Sequence, residues 1–284
     1  MLKTKSNIHK TICSPYSSIN SSIQDSCYTD DNIILIKNAW NKRHPTRKIN
    51  DENPTDIWKK LNNNMKSECK NERCWLRKLI KNNELRVDID TTTFAPERPK
   101  EWRNNPKEWL SNYDISNVLS QYEDIYQHFR LIGPTPLNYD EFNEDTGDYV
   151  WPELNYFNLD NYISQNVTDI AIVFNLDDHD EEGSHWITLY IDIPGKRILH
   201  FDSAAGTIPK KVKKLVDKIK NNSQEKMILS TNYPLEHQKR DGECGVYSIY
   251  FILSMLHKSK DWNDFRKKRI TDKEMFEYRD ELFN

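Results

Sequence analysis

Residues 245–257, GVYSIYFILSMLH, are apolar on nearly every face of a helix. Such a helix is stable only where other elements cover it on all sides. The chain has the means to cover it: 284 residues, 36% of them hydrophobic, with 8 Trp, 14 Tyr and 10 Phe. Upstream, residues 168–176 alternate with Ile170, Ile172 and Phe174, residues 186–193 alternate again, and residues 197–201 and 226–231 read as further strands. Residues 211–221 form an amphipathic helix. Residues 114–129 form another, with Ile115, Val118, Leu119, Tyr122, Ile125, Tyr126 and Phe129 at helical spacing, ended by Gly133-Pro134-Thr135-Pro136. The expected class is α+β, with a central mixed sheet packed by helices around the buried one, over residues 107–284.

The first part of the chain differs in charge. Residues 1–82 carry 16 Lys and Arg against 8 Asp and Glu, a net +8, whereas the other 202 residues carry 25 against 36, a net −11. Residues 1–30, rich in Ser, Thr and Asn, are expected to be poorly ordered. Residues 31–90 are expected to form a basic helical arm, with helices over 31–43, from Asn53 onward and over 74–81, and residues 91–106, with three prolines, a linker. The cluster Lys42-Arg43-His44 with Arg47-Lys48 suits nucleic acid or an acidic structural protein, and equally a solvated helix surface. No apolar stretch reaches the roughly 18 residues of a membrane span, and residues 1–10 are polar and basic, so an intracellular or virion-enclosed protein is expected. Five cysteines are too few and odd in number for a disulfide framework. Zinc is not expected either, because Cys69-x4-Cys74 lacks a tight knuckle and Cys13 and Cys27 lie far off, leaving buried or idle thiols.

Cys244 stands at the start of the buried helix, between Gly242 and Gly245. A thiol reacts as its thiolate, and the unpaired N–H groups of a helix N-terminus favour that form. Gly242 and Gly245 permit a tight turn and close approach of a substrate. Gln238, six residues before the thiol, is a candidate oxyanion donor beside the Cys244 N–H. His185 is the candidate base. If strands 186–193 and 197–201 pair about Pro194-Gly195, paired residue numbers sum to 389 and Asp202 falls opposite Ile187, on the face His185 shares. Asp202 then orients the imidazole, provided the turn does not shift the register.

His185-Trp186, then Phe201-Asp202-Ser203, then Gln238 and Cys244-Gly245-x-Tyr247 resemble the Ulp/adenain superfamily of cysteine proteases. Within it, Trp109-Leu110-Ser111-Asn112-Tyr113-Asp114-Ile115, Ser203-Ala204-Ala205-Gly206 and residues 269–275 look most like the African swine fever virus type of polyprotein-processing protease of large nucleocytoplasmic DNA viruses. Asp202 stands where the swine fever enzyme has Asn. The resemblance implies an Ulp/adenain-like fold and Cys-His-Asp acyl transfer after Gly-Gly, with no cofactor. It also implies Trp186 and Trp109 as walls of a narrow passage for glycine, the plainer alternative for Trp109 being a core residue. The substrates it implies are viral structural polyproteins or core proteins with Gly-Gly-x sites, cleaved during maturation at the host cytoplasmic assembly site and in the virion. Removal of a host ubiquitin-like modifier is the alternative within the enzyme class. A non-catalytic scaffold or nucleic-acid-binding protein is the alternative outside it. The acidic loop around Asp177, Asp178, Asp180, Glu181 and Glu182 reads as solvated, or as a feature favouring basic substrates.

Overall fold

A computed structural model describes residues 11–284, which form two compact units, residues 11–98 with 280–284 and residues 99–279. In the first, five helices, α1 (Pro15–Asn20), α2 (Asp30–Arg43), α3 (Pro54–Met65), α4 (Glu72–Leu79) and α5 (Asn83–Thr93), enclose a core that includes Tyr28, Ile36, Trp40, Leu61, Trp75 and Phe94. Thr29, Asn53, Asn71 and Asn82 cap α2 to α5 through their side chains, so each start is written locally in the sequence. Glu72 ties the unit together. Its carboxylate accepts from Ser26 Oγ (2.5 Å), the Cys27 N–H (2.9 Å) and Trp58 Nε1 (2.5 Å), and its burial pushes its pKa up. Asn284 accepts from the Ile12 N–H (2.6 Å) and donates to the Ile12 carbonyl (2.8 Å), closing the unit's first and last segments on each other.

Three expectations for this region are corrected. Residues 11–30 are not a poorly ordered start: they carry α1 and bury Ile12, Cys13, Ile23, Cys27 and Tyr28, while the expectation for residues 1–10 lies outside the described residues. The expected linker begins inside α5, whose polar surface masked its helical character. The four cysteines are not idle, since Cys13 pairs with Cys27 and Cys69 with Cys74, leaving Cys244 as the free thiol. Their sequence spacings carry no sign of this, because thiol spacing along the chain does not report which segments the fold brings together.

In the second unit, α6 (Asn112–Glu123) begins with a reciprocal capping box between Ser111 and Asp114. Then follow β1 (Phe129–Thr135), the short pair β2 (Phe142–Asn143) and β3 (Asp148–Tyr149), α7 (Pro152–Asn155), α8 (Leu159–Ser164), β4 (Asp169–Asn175), β5 (Trp186–Asp192) and β6 (Arg197–Phe201). The unit closes with α9 (Lys210–Asn222), β7 (Ile228–Thr231), α10 (Cys244–Leu256), α11 (Trp262–Lys267) and α12 (Asp272–Leu282). The sheet order is β1-β4-β5-β6-β7, with β1–β4 and β6–β7 parallel and the middle pairs antiparallel, a mixed sheet as expected. Alternate residues serve opposite faces. Ile170, Ile172, Phe174, Ile187 and Leu189 pack with Val212, Leu215, Val216 and Ile219 of α9 on one side. On the other, Tyr190 and Phe201 meet Phe251 of α10, the Phe201 ring stacked at 4.7 Å. All of α10 except Tyr250 is buried, as its apolar surface requires.

The expected helix over 114–129 is shorter than predicted. Helical spacing continues through Tyr126, but α6 ends at Glu123 and Phe129 opens β1, a strand that sheet pairing with β4 recruits against its local pattern. Its Gly133-Pro134 therefore lies within a strand rather than ending a helix.

Candidate active site

The β5–β6 hairpin sets the geometry. Its turn spans Ile193-Pro194-Gly195-Lys196 rather than two residues, with a bond from the Lys196 N–H to the Ile193 carbonyl (3.0 Å). Two residues are added symmetrically, so Thr188 still pairs with Phe201 and Asp192 with Arg197, and the sum of 389 holds. His185, just before β5, and Asp202, just after β6, thereby share one face of the sheet end. His185 Nε2 lies 2.6 Å from Asp202 Oδ1. The Asp202 carboxylate also accepts the Ala204 N–H (2.8 Å) and the Gly206 N–H (2.9 Å), so its orientation is fixed.

Asn232 is a partner that local sequence did not reveal. Its Oδ1 accepts the Asp202 N–H (2.9 Å), and its Nδ2 donates to the Asp202 carbonyl (2.7 Å) and the Leu235 carbonyl (3.0 Å). This buried amide clamps the main chain that carries the carboxylate.

Electrostatics follow from this arrangement. Burial by itself pushes the His185 pKa down, but bonding to Asp202 and to the Cys244 thiol outweighs it, and the pKa is raised to about 10. For Asp202, burial raises the carboxyl, and the His185 bond outweighs it, with the Ala204 N–H adding to the depression. With Nε2 turned to Asp202, Nδ1 is the atom left to face the thiol. Next door, burial pushes His200 down to about 4, so it stays neutral beside Asp202.

Cys244 opens α10 and is 2% exposed. The preceding Glu243 makes no side-chain cap, because its Oε2 is held by Arg279 Nε at 3.0 Å. First-turn N–H groups are therefore left uncapped beside the thiol, which favours negative charge there. Gly242 has φ +111°, and a Cβ there would stand 2.8 Å from the Lys107 carbonyl oxygen. Gly245 has a different reason from the expected substrate approach: a Cβ would meet Leu110 Cβ at 2.9 Å and Ile115 Cδ1 at 3.3 Å. It admits close packing of Leu110 and Ile115 against the start of α10, beside Cys244.

The same segment positions both tryptophans. Trp186 is buried, its Nε1 donating to the Leu110 carbonyl at 2.9 Å. Trp109, one residue earlier, is 39% exposed, which removes the core alternative for it. Gln238 is held on the turn before Cys244. Its N–H donates to the Ser203 carbonyl (2.8 Å), its Oε1 accepts from Ser203 Oγ (2.8 Å), and its Nε2 donates to the Arg240 carbonyl (2.8 Å). An amide nitrogen carries two protons, so one donor remains after that bond.

Arg279 also went unnoticed in the sequence. Its guanidinium donates to Glu243, to the Gly242 carbonyl (3.0 Å) and to the Pro106 and Glu108 carbonyls (3.2 and 2.7 Å), and lies 4.3 Å from the Trp102 ring centre. Its hydrogen-bond partners lie 36 to 173 residues away, beyond any local pattern.

Comparison with known proteins agrees with this geometry. Residues 164–284 match the Ulp1 protease family, C-terminal catalytic domain. A protein of Acanthamoeba polyphaga mimivirus named as a thiol protease is 31% identical over 192 residues, 66% of this chain, and the chain spans 59% of that relative's length. The SUMO-1 cysteine protease of African swine fever virus is 26% identical over 213 residues, covering 70% of this chain and 75% of the relative. The crystal structure of the swine fever virus protease superposes with a TM-score of 0.64 over 96% of this chain and 95% of that one, at 19% identity, which establishes the shared fold. Residues 164–284 thus match a Ulp1-type catalytic domain, and viral thiol proteases are among the proteins this chain resembles.

Proposed function

We propose that the chain is a viral cysteine endopeptidase cleaving after Gly-Gly in viral structural polyproteins or core proteins during virion maturation, at the host assembly site and within the particle. The observation that carries this reading is the His185–Asp202 bond of 2.6 Å at the sheet end, with Cys244, the free thiol, opening α10. In this reading the Cys244 thiolate attacks the glycyl carbonyl carbon. The Cys244 N–H and the remaining Gln238 amide proton receive the oxyanion. His185, held as imidazolium by Asp202, gives its proton to the leaving amine, and the C–N bond breaks to leave a thioester. His185 then takes a proton from water, the hydroxide carbon bond forms, and the thiolate leaves. Trp109 and Trp186 wall the glycines, with Trp186 supporting from its buried position. The basic helical arm contacts nucleic acid or an acidic protein in the assembling particle.

The test uses the full chain with fluorogenic Gly-Gly-x peptides and with the virus's own structural proteins. Cleavage after Gly-Gly that is lost in Cys244→Ala supports the reading. The name of the swine fever relative makes a modifier-removing activity the second reading. Labelling of Cys244 by a SUMO or ubiquitin vinyl sulfone, without cleavage of viral Gly-Gly sites, would favour it. Failure of both substrates would leave neither standing.

A further inference from the structure

A cleft of about 680 Å³ opens beside the turn that carries the nucleophile, lined by Glu243 and Asp241 of that turn, by Lys107 and by the first turn of α12. Glu243 adjoins Cys244, and Asp241 is three residues from it. At roughly 3.3–3.6 Å per extended residue, the cleft is within about four substrate residues of the scissile bond.

Its charge is unbalanced. Lys107, Lys239, Arg240, Arg269 and Lys273 line it against the carboxylates Asp241, Glu243 and Asp272. Two of those carboxylates are already engaged: Glu243 by Arg279, and Asp272 by Arg269 (2.9 Å) and the Lys239 N–H (3.0 Å). Arg269 is fixed in turn by donating to the His237 carbonyl (2.8 Å). By contrast, the Lys107 ammonium and the Arg240 guanidinium meet no hydrogen-bond acceptor among the described residues, and Lys273 has only the exposed Glu277 at 3.7 Å. Phe276 supplies an apolar wall of the cleft. Residues 83–284, to which the cleft belongs, carry a net −11 as a whole, so this cationic cleft is not a sample of that stretch's general charge. The loop before His185, with Asp177, Asp178, Asp180, Glu181 and Glu182, has the opposite sign. The two members of the reacting pair are thus approached from oppositely charged loops, a layout that orients a charged chain as it binds.

We propose that this cleft is a substrate subsite for an acidic side chain, Asp or Glu, lying within four residues of the cleaved bond. Lys107, Arg240 and Lys273 hold the carboxylate, and Phe276 receives its methylene stem. This deepens the protease reading and rests on it.

The test compares Gly-Gly peptides carrying Asp or Asn at each of four positions on either side of the cleavage site, with the full chain and with Lys107→Glu/Arg240→Glu. The ratio of kcat/KM for the best acidic peptide over its Asn counterpart is expected to be about tenfold or more for the natural chain. It should shrink in high salt, fall to one or below in the double variant, and shift there toward a Lys-bearing peptide. A natural chain that cleaves all peptides with no acid preference, or a preference that survives the charge reversal, overturns the proposal. If no peptide is cleaved, the protease reading fails, and the subsite is then judged by fluorescence anisotropy of the same peptides on full-length Cys244→Ala. Acid-dependent binding abolished by the charge reversal upholds it, and acid-independent binding or none overturns it.

Discussion

Replacing Arg279 by Met should loosen the turn before Cys244 at a cost that the structure lets one size. The Arg279 and Glu243 side chains are 2% and 4% exposed, and Glu243 Oε1 has no hydrogen-bond partner among the described residues. Removing the guanidinium leaves a buried carboxylate without its counter-charge, which costs about 3–5 kcal/mol. The Gly242, Glu108 and Pro106 carbonyls lose their donor as well, but such losses within one network do not add. For a unit of this size, the midpoint of thermal unfolding should fall by on the order of 10 °C. A second signature is pH. Burial pushes the Glu243 carboxyl up, opposed by Arg279, and without Arg279 it rises further. An acid whose folded pKa exceeds its unfolded value of about 4.3 destabilises the fold progressively as pH rises past that value. The deficit of Arg279→Met should therefore be smallest near pH 4 and grow toward neutrality. Urea unfolding of Arg279→Met, Glu243→Gln and the double variant closes a cycle in which the double loses about 2 kcal/mol less than the sum of the singles. A deficit under about 1 kcal/mol, or a coupling within about 0.5 kcal/mol of zero, would refute the reasoning.

In Asp202→Asn, the titration midpoint of His185, read by NMR of its ring nitrogens, should drop well below the value of about 10 held by the natural chain; an unmoved midpoint contradicts the assigned cause. A raised His contributes stability that is complete below its unfolded pKa of about 6.5 and is lost toward about 10, whereas the depressed Asp202 loses its contribution in acid below about 3.9. The stability gap between the two proteins should therefore be widest between these limits. Asn232→Leu removes three bonds to the main chain and leaves the buried Asp202 N–H without its side-chain acceptor, costing about 1–3 kcal/mol, and should lower kcat more than it raises KM; a pure KM effect would show that Asp202 does not depend on the clamp. Gly242→Ala forces a side chain into φ +111° against the Lys107 carbonyl, and should cost on the order of 1–3 kcal/mol with loss of turnover, readable by thermal shift and peptide cleavage. Cys13→Ser opens a loop closed over 14 residues, worth about 3 kcal/mol in oxidising buffer, and the difference from the natural chain should vanish under reduction.

How far the sequence carried can be followed residue by residue. The start of α10 was legible because an all-apolar helix allows one environment, and a cysteine between glycines at its head has few neutral explanations. The approach of His185 to Asp202 was legible because strand pairing is arithmetic: a symmetric four-residue turn preserved the sum that a two-residue turn would have set. β1 was hidden, since Tyr126 and Phe129 continue a helical pattern that pairing with β4 overrides. The disulfides were hidden because thiol spacing does not report which segments meet.

The sequence by itself determined the mixed fold class, the buried helix and the cluster of thiol, imidazole and carboxylate, since hydrophobic periodicity and strand register are local properties with period 3.6 or 2. Only the tertiary structure decided what holds that cluster in place. Arg279 on Gly242 and Glu243, Asn232 on Asp202, and Gly245 against Leu110 join residues 30 to 135 positions apart. Contacts of that kind arise when the chain has folded and buried polar groups must find partners, a requirement that leaves no periodic trace along the sequence.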